Sequence, residues 1–167
     1  LMTEGVRQLV RDSGYPNMKV LQFAVDPADI ALSNDYWPQN YNRNCVVYTG
    51  THDNETLAGW YAGLSKEAKE QLRAYLGNYD IAEKRMYKAA INCAMTSVAK
   101  DCIIPNETQP AQPYTCRMNQ PGTVGFNWRW RLIPGQITGE LAEEIKAMTI
   151  RANRGNWDAI NANKVEE

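Results

Sequence analysis

Three short apolar runs constrain this chain more than any other feature: residues 18–24, residues 45–48 and residues 102–105. Each is bounded by polar or turn-forming residues. At four to seven residues they are too short for helices and suit strands buried on both faces. Helical spacing fills the stretches around them. Val6, Leu9 and Val10 share one face of a helix predicted over residues 3–12, with Ser13-Gly14 as its stop. A short helix is expected over 56–62. Ser65 caps a clearer one, with Ala68, Leu72, Tyr75 and Leu76 on one face and Gly77 at its end. Asp80 opens another, with Glu83 as capping-box partner and Ile81, Ala90, Ile91, Ala94, Met95 and Val98 as its apolar face. A last helix starts near Thr138 and carries Leu141, Ile145 and Met148, and a polar tail follows Arg154.

Strands alternating with helices imply βαβ units and a parallel sheet, in a chain that reads as a single unit over residues 1–167. The expected class is therefore α/β. Three strands are too few to shield both faces of a parallel sheet. The chain is accordingly expected to be part of something larger, with self-association through open sheet edges.

Composition excludes several partners. Lys and Arg total 18 against 19 Asp and Glu, a net charge of −1, so nothing argues for nucleic acid or an anionic membrane. Trp128-Arg129-Trp130-Arg131 resembles a basic-aromatic strip, but two arginines on a neutral chain make a poor electrostatic footprint, and packing is the expected role. No run of about 18 apolar residues is present, so no membrane span is expected. No basic segment followed by an apolar run marks a signal peptide. One histidine and four cysteines at Cys45, Cys93, Cys102 and Cys116, without CxxC spacing, offer no zinc pattern. Neither metal nor other cofactor is expected. Cys45 and Cys102, beside apolar runs, read as buried thiols, and free thiols in place of disulfides imply a reducing compartment.

The densest chemistry follows the middle strand. Gly50 permits a tight bend, and Thr51-His52-Asp53-Asn54 then crowds donors and acceptors into one loop. A neutral imidazole can donate to a sugar hydroxyl and a carboxylate can accept from two. The alternative is that Asp53 or Asn54 merely caps the helix that follows. Trp37 and Asn40 lie in a polar loop over residues 26–41. Trp37 and Tyr41 are each either a platform for the C–H face of a sugar or a packing residue.

Residues 46–56, reading Val-Val-Tyr-Thr-Gly-Thr-His-Asp-Asn-Glu-Thr, with Gly59-Trp60, resemble the signature of the 4-alpha-glucanotransferases, the amylomaltases or disproportionating enzymes. Residues 18–24 resemble the same family. So does a third block made of Arg117-Met118-Asn119, Pro121-Gly122-Thr123 and residues 127–132. The blocks stand in family order. The resemblance implies a (β/α)8 TIM barrel, of which this chain holds about the last three strands with their helices. It implies transfer of α-1,4-glucan segments with retention, through a covalent glycosyl-enzyme. Retention requires two carboxyl groups about 5–5.5 Å apart. Asp53 matches a third, transition-state-stabilising carboxylate, and His52 matches the histidine on the same sugar. Asn54, Trp37 and Asn40 are further candidates for binding an α-1,4-glucan or maltooligosaccharide.

The family's nucleophilic aspartate and acid/base glutamate follow its fourth and fifth strands and have no matching position here. The polypeptide is therefore expected to be an inactive C-terminal portion. The alternative is a non-catalytic glucan-binding or structural domain derived from the barrel. Gln39 stands where the family commonly has histidine, and residues 106–113 depart from its usual acidic, Leu/Gly-rich stretch. The compartment implied is the cytoplasm, or the plastid stroma in a plant.

Overall fold

The computed structural model describes residues 3–105 and 116–162, which form two compact units, Leu1–Trp130 and Arg131–Glu167. The first begins with α1 (Glu4–Ser13), capped by the Thr3 hydroxyl and closed by Gly14 in the left-handed region at φ 69°. Then come β1 (Asn17–Val20), β2 (Cys45–Tyr48), α2 (Leu57–Gly63), α3 (Lys66–Tyr75), α4 (Met86–Met95) and β3 (Asp101–Ile103). The sheet is parallel in the order β1-β2-β3, with Met18 opposite Val46 and Val46 opposite Asp101.

Register and pleat sort the strand residues into two faces. Cys45 and Val47 of β2 are fully buried on one face, beside Lys19 and Cys102. Helices cover this side. Tyr41 sits among Cys45, Cys102, Tyr75 of α3 and Cys93 of α4, and that burial drives its phenol far above its ordinary range. Trp37, Leu57, Leu72, Met86 and Ile91 complete this core. The opposite face carries Met18, Val46, Tyr48, Asp101 and Ile103, and Met18 and Ile103 are about half exposed. The α/β class and the parallel pairing agree with the alternation in the sequence.

Three boundaries differ from expectation. The first strand ends at Val20, and Leu21–Phe23 turns into a 3-10 segment that sends Gln22 inward, where it is buried. The helix expected from Asp80 begins at Met86, after a 3-10 turn at Glu83–Arg85. Arg73 explains the delay: its Nη1 donates to the carbonyls of Tyr79 and Ile81 at 2.9 and 2.8 Å, so those oxygens do not serve a helical ladder. The expected β3 shifts by one residue to begin at Asp101.

In the second unit Thr138 caps α5 (Gly139–Arg151) by accepting from the Leu141 amide at 3.1 Å. The expected polar tail contains α6 (Trp157–Ala162), and Trp157 Nε1 donates to Asn153 Oδ1 at 2.9 Å. No helix among the described residues is long and apolar enough to cross a membrane.

Candidate functional site

Parallel strands deliver their C-terminal ends to one edge, and the loops leaving that edge are where α/β folds place chemistry. β2 leaves through Thr49, which is fully buried, and Gly50, whose missing side chain makes room for Gln22. The chain then turns. The Asn54 amide donates to the Thr51 carbonyl at 3.0 Å, and Asn54 Oδ1 accepts from both the Thr51 amide (2.9 Å) and the Thr51 hydroxyl (2.7 Å). Asn54 is thus the internal staple of the turn. Capping of α2 falls to Thr56, whose hydroxyl accepts from the Gly59 amide. His52 and Asp53, at the apex, are left free of that task.

His52 Nε2 lies 3.3 Å from Asp53 Oδ1, and both side chains are about half exposed, at 53% and 47%. That exposure lets a ligand reach both. The pair is fixed from two directions. From the end of β1, Gln22 Nε2 donates to the Glu55 carbonyl at 2.8 Å. From residues 116–128, Asn119 Nδ2 donates to Asp53 Oδ1 at 2.5 Å and the Asn119 amide donates to the His52 carbonyl at 3.0 Å. Arg117 pairs with Glu55, and its Nη2 donates to the Asp53 carbonyl at 2.6 Å. The Trp128 ring leans on the His52 imidazole, centroids 4.9 Å apart. The Trp128 backbone is in the left-handed region at φ 64°, and its N–H donates a hydrogen bond to the Met118 carbonyl at 2.8 Å.

The other sequence candidates fall elsewhere. Trp37 is fully buried and packs on Tyr75, with centroids 4.3 Å apart. This is the packing alternative; the indole has no open face for a sugar. Asn40 is exposed, but its Nδ2 donates to the carbonyls of Leu32 and Asn34 at 2.8 and 2.9 Å and so closes its own loop. Gln39 donates to the same Leu32 carbonyl at 3.1 Å. The departure noted over residues 106–113 lies outside the described residues. Among the described residues no group of three or more His, Cys, Asp or Glu could hold a metal.

Sequence reasoning passed over Arg117, Asn119 and Trp128 as site residues and read Trp128 as packing. The only signal available was that they belong to the third resembling block. Contacts across 64 and 66 positions of sequence leave no periodic trace.

Comparison with known proteins completes the picture. The family model described as 4-alpha-glucanotransferase matches residues 1–136. The 4-alpha-glucanotransferase of Thermus thermophilus is 36% identical over 159 residues, which is 92% of this chain and 31% of that protein. The chloroplastic/amyloplastic 4-alpha-glucanotransferase of Solanum tuberosum is 38% identical over 148 residues, 89% of this chain and 25% of that protein. Among solved structures, amylomaltase from Streptococcus agalactiae in complex with acarbose matches with a TM-score of 0.86 at 29% identity, covering 93% of this chain and 31% of that one. The chain therefore spans between a quarter and a third of the length of these relatives.

Proposed function

Since the chain belongs to the 4-alpha-glucanotransferase family, we propose that it carries the sugar-gripping part of an enzyme that transfers α-1,4-glucan segments in starch or glycogen metabolism. In this reading the three strands are adjacent strands of a (β/α)8 barrel, and the half-exposed face bearing Met18 and Ile103 is the side turned to the barrel interior. His52 donates to a hydroxyl of one glucose ring, and Asp53 accepts from hydroxyls of the same ring. Their contribution is catalytic when these bonds tighten as the ring flattens toward an oxocarbenium-like state, because binding that is equal in ground and transition states does not raise the rate of the chemical step. The single observation that carries the reading is the His52–Asp53 contact of 3.3 Å on an exposed turn at the C-terminal edge of a parallel sheet.

Transfer with retention needs a nucleophile and an acid/base on opposite faces of the scissile bond. The family's two reacting carboxylates have no matching position in residues 1–167, and Glu55, the nearest acid in sequence to Asp53, is paired with Arg117. The polypeptide of residues 1–167 is therefore expected to bind glucan without transferring it. A relative described as chloroplastic/amyloplastic supports the plastid stroma for a plant protein, with the cytoplasm as the compartment otherwise.

Calorimetric titration with maltotriose is the test. Wild type is expected to bind. Asp53→Asn, which keeps the shape and removes the charge, is expected to weaken binding by about 10- to 100-fold, since hydrogen bonds to a charged group contribute roughly 1.5–3 kcal/mol. The same protein is expected to show no disproportionation of maltotriose. Absence of binding by wild type refutes the glucan reading, and turnover by this polypeptide refutes the assignment of the reacting carboxylates to other chain.

A further inference from the structure

Arg117 makes bonds in three directions. Its Nε donates to the Asn119 carbonyl at 2.7 Å, its Nη2 to the Asp53 carbonyl at 2.6 Å, and its Nη1 pairs with the Glu55 carboxylate. Two of these partners are backbone oxygens, one on each of two segments more than sixty positions apart. The guanidinium is a rigid planar fork and fixes the distance between them, whereas an ammonium supplies one compact point charge. The bonds that shape the sugar-facing surface depend on that spacing. The Asn119 side chain meets Asp53 Oδ1, its amide meets the His52 carbonyl, and the Met118 carbonyl holds the Trp128 amide so that the indole lies on His52.

We propose that Arg117 is a positioning residue: it holds residues 117–128 against the His52–Asp53 turn, so that the carboxylate and the imidazole keep one fixed orientation toward substrate. The proposal rests on the glucan reading of His52 and Asp53. It assigns Arg117 no contact with sugar. The guanidinium acts through the turn.

His52 is the chain's only histidine, so its imidazole gives one resolved pair of proton signals that report the overlying Trp128 ring. Trp128→Ala defines the unstacked shift. In Arg117→Gln the His52 signals are expected to move more than half of the way to that reference, with the maltotriose Kd raised about tenfold, the cost of one charged hydrogen bond. Arg117→Lys is expected to fall between Gln and wild type. If Arg117→Gln does not fold, Glu55→Gln, which removes the ion pair and keeps the two carbonyl bonds, is expected to show a smaller change in the same sense. His52 signals and Kd at wild-type values in a folded variant overturn the positioning role while the glucan reading stands. A wild type that ignores maltotriose, with His52 signals that still follow Arg117, overturns the glucan reading and leaves the positioning of the turn intact.

Discussion

Gly50→Ala is the sharpest perturbation this site offers. A Cβ built there stands 2.7 Å from Gln22 Nε2 and 3.2 Å from Gln22 Cδ. The first distance is well inside van der Waals contact, so one group moves. The backbone of Gly50 is fixed by the end of β2, which leaves the Gln22 amide to give way. Gln22 is 6% exposed and donates to the Glu55 carbonyl at 2.8 Å. Displacement strips the part-buried Glu55 carbonyl of its partner, at a cost of about 1–3 kcal/mol. The expected loss is therefore about 1–3 kcal/mol. At roughly 2–4 °C per kcal/mol for a chain of this size, the melting temperature falls by about 2–12 °C. Urea denaturation of a four-member cycle checks the mechanism. In a Gln22→Ala background there is no amide to displace, so Gly50→Ala is expected to cost under about 1 kcal/mol, a coupling of the size seen for residues in contact. Equal costs in the two backgrounds, or a cost below about 0.5 kcal/mol in wild type, refute the reasoning.

Two other outcomes follow from burial. Removal from water pushes the Cys93 thiol up from 9.0 to about 11, against an opposing hydrogen bond to Tyr75. Between those values the unfolded chain has released a proton that the native state keeps, so stability falls as pH rises through the window, by about 2–3 kcal/mol. Tyr75, pushed up to about 12, adds to that fall, while Lys19, lowered by its own burial, opposes it. Cys93→Ser is thus expected to show a shallower decline from pH 9 to 11 in denaturant titrations, and a slope equal to wild type counts against the buried thiol. The half-exposed sheet face carrying Met18 and Ile103 is expected to drive self-association, which sedimentation velocity detects as a concentration-dependent rise in sedimentation coefficient. Ile103→Lys is expected to abolish the rise, and a wild type that stays monomeric at high concentration refutes it.

The three strands and the helices from Ser65 and Thr138 were legible because each rests on local chemistry: a run bounded by turn residues, a hydroxyl cap, a glycine at the end. The turn was legible too, since Gly50 and the polar string after it are contiguous. Reading failed where long-range contacts override local preference. Gln22 reads as one more strand residue until the Glu55 carbonyl across 33 positions draws it inward. Asp80 with Glu83 has the pattern of a helix start, but Arg73 takes the nearby carbonyls from another helix. Trp37 illustrates the ambiguity of an aromatic in a polar loop: the same ring suits a sugar or a core, and Tyr75, 38 positions on, settles it as core.

These failures share a cause that bears on how the site works. A polar pair that must meet a ligand cannot be held by its own burial, because burying it removes the access. Rigidity has to be imported through neighbours that are enclosed or bonded elsewhere. Here Gln22 holds the far side of the turn from inside the core, and Arg117 with Asn119 holds the near side. Asn54 closes the turn upon itself. Neither Gln22 nor Arg117 with Asn119 announces itself in the motif, since each acts on a backbone atom or a carboxylate across the fold; Asn54 alone lies within it. The two residues that read most plainly as functional are thus the least self-sufficient. Their orientation is a property of three segments meeting at the strand end, and changes in those segments are expected to alter ligand affinity while His52 and Asp53 stay untouched.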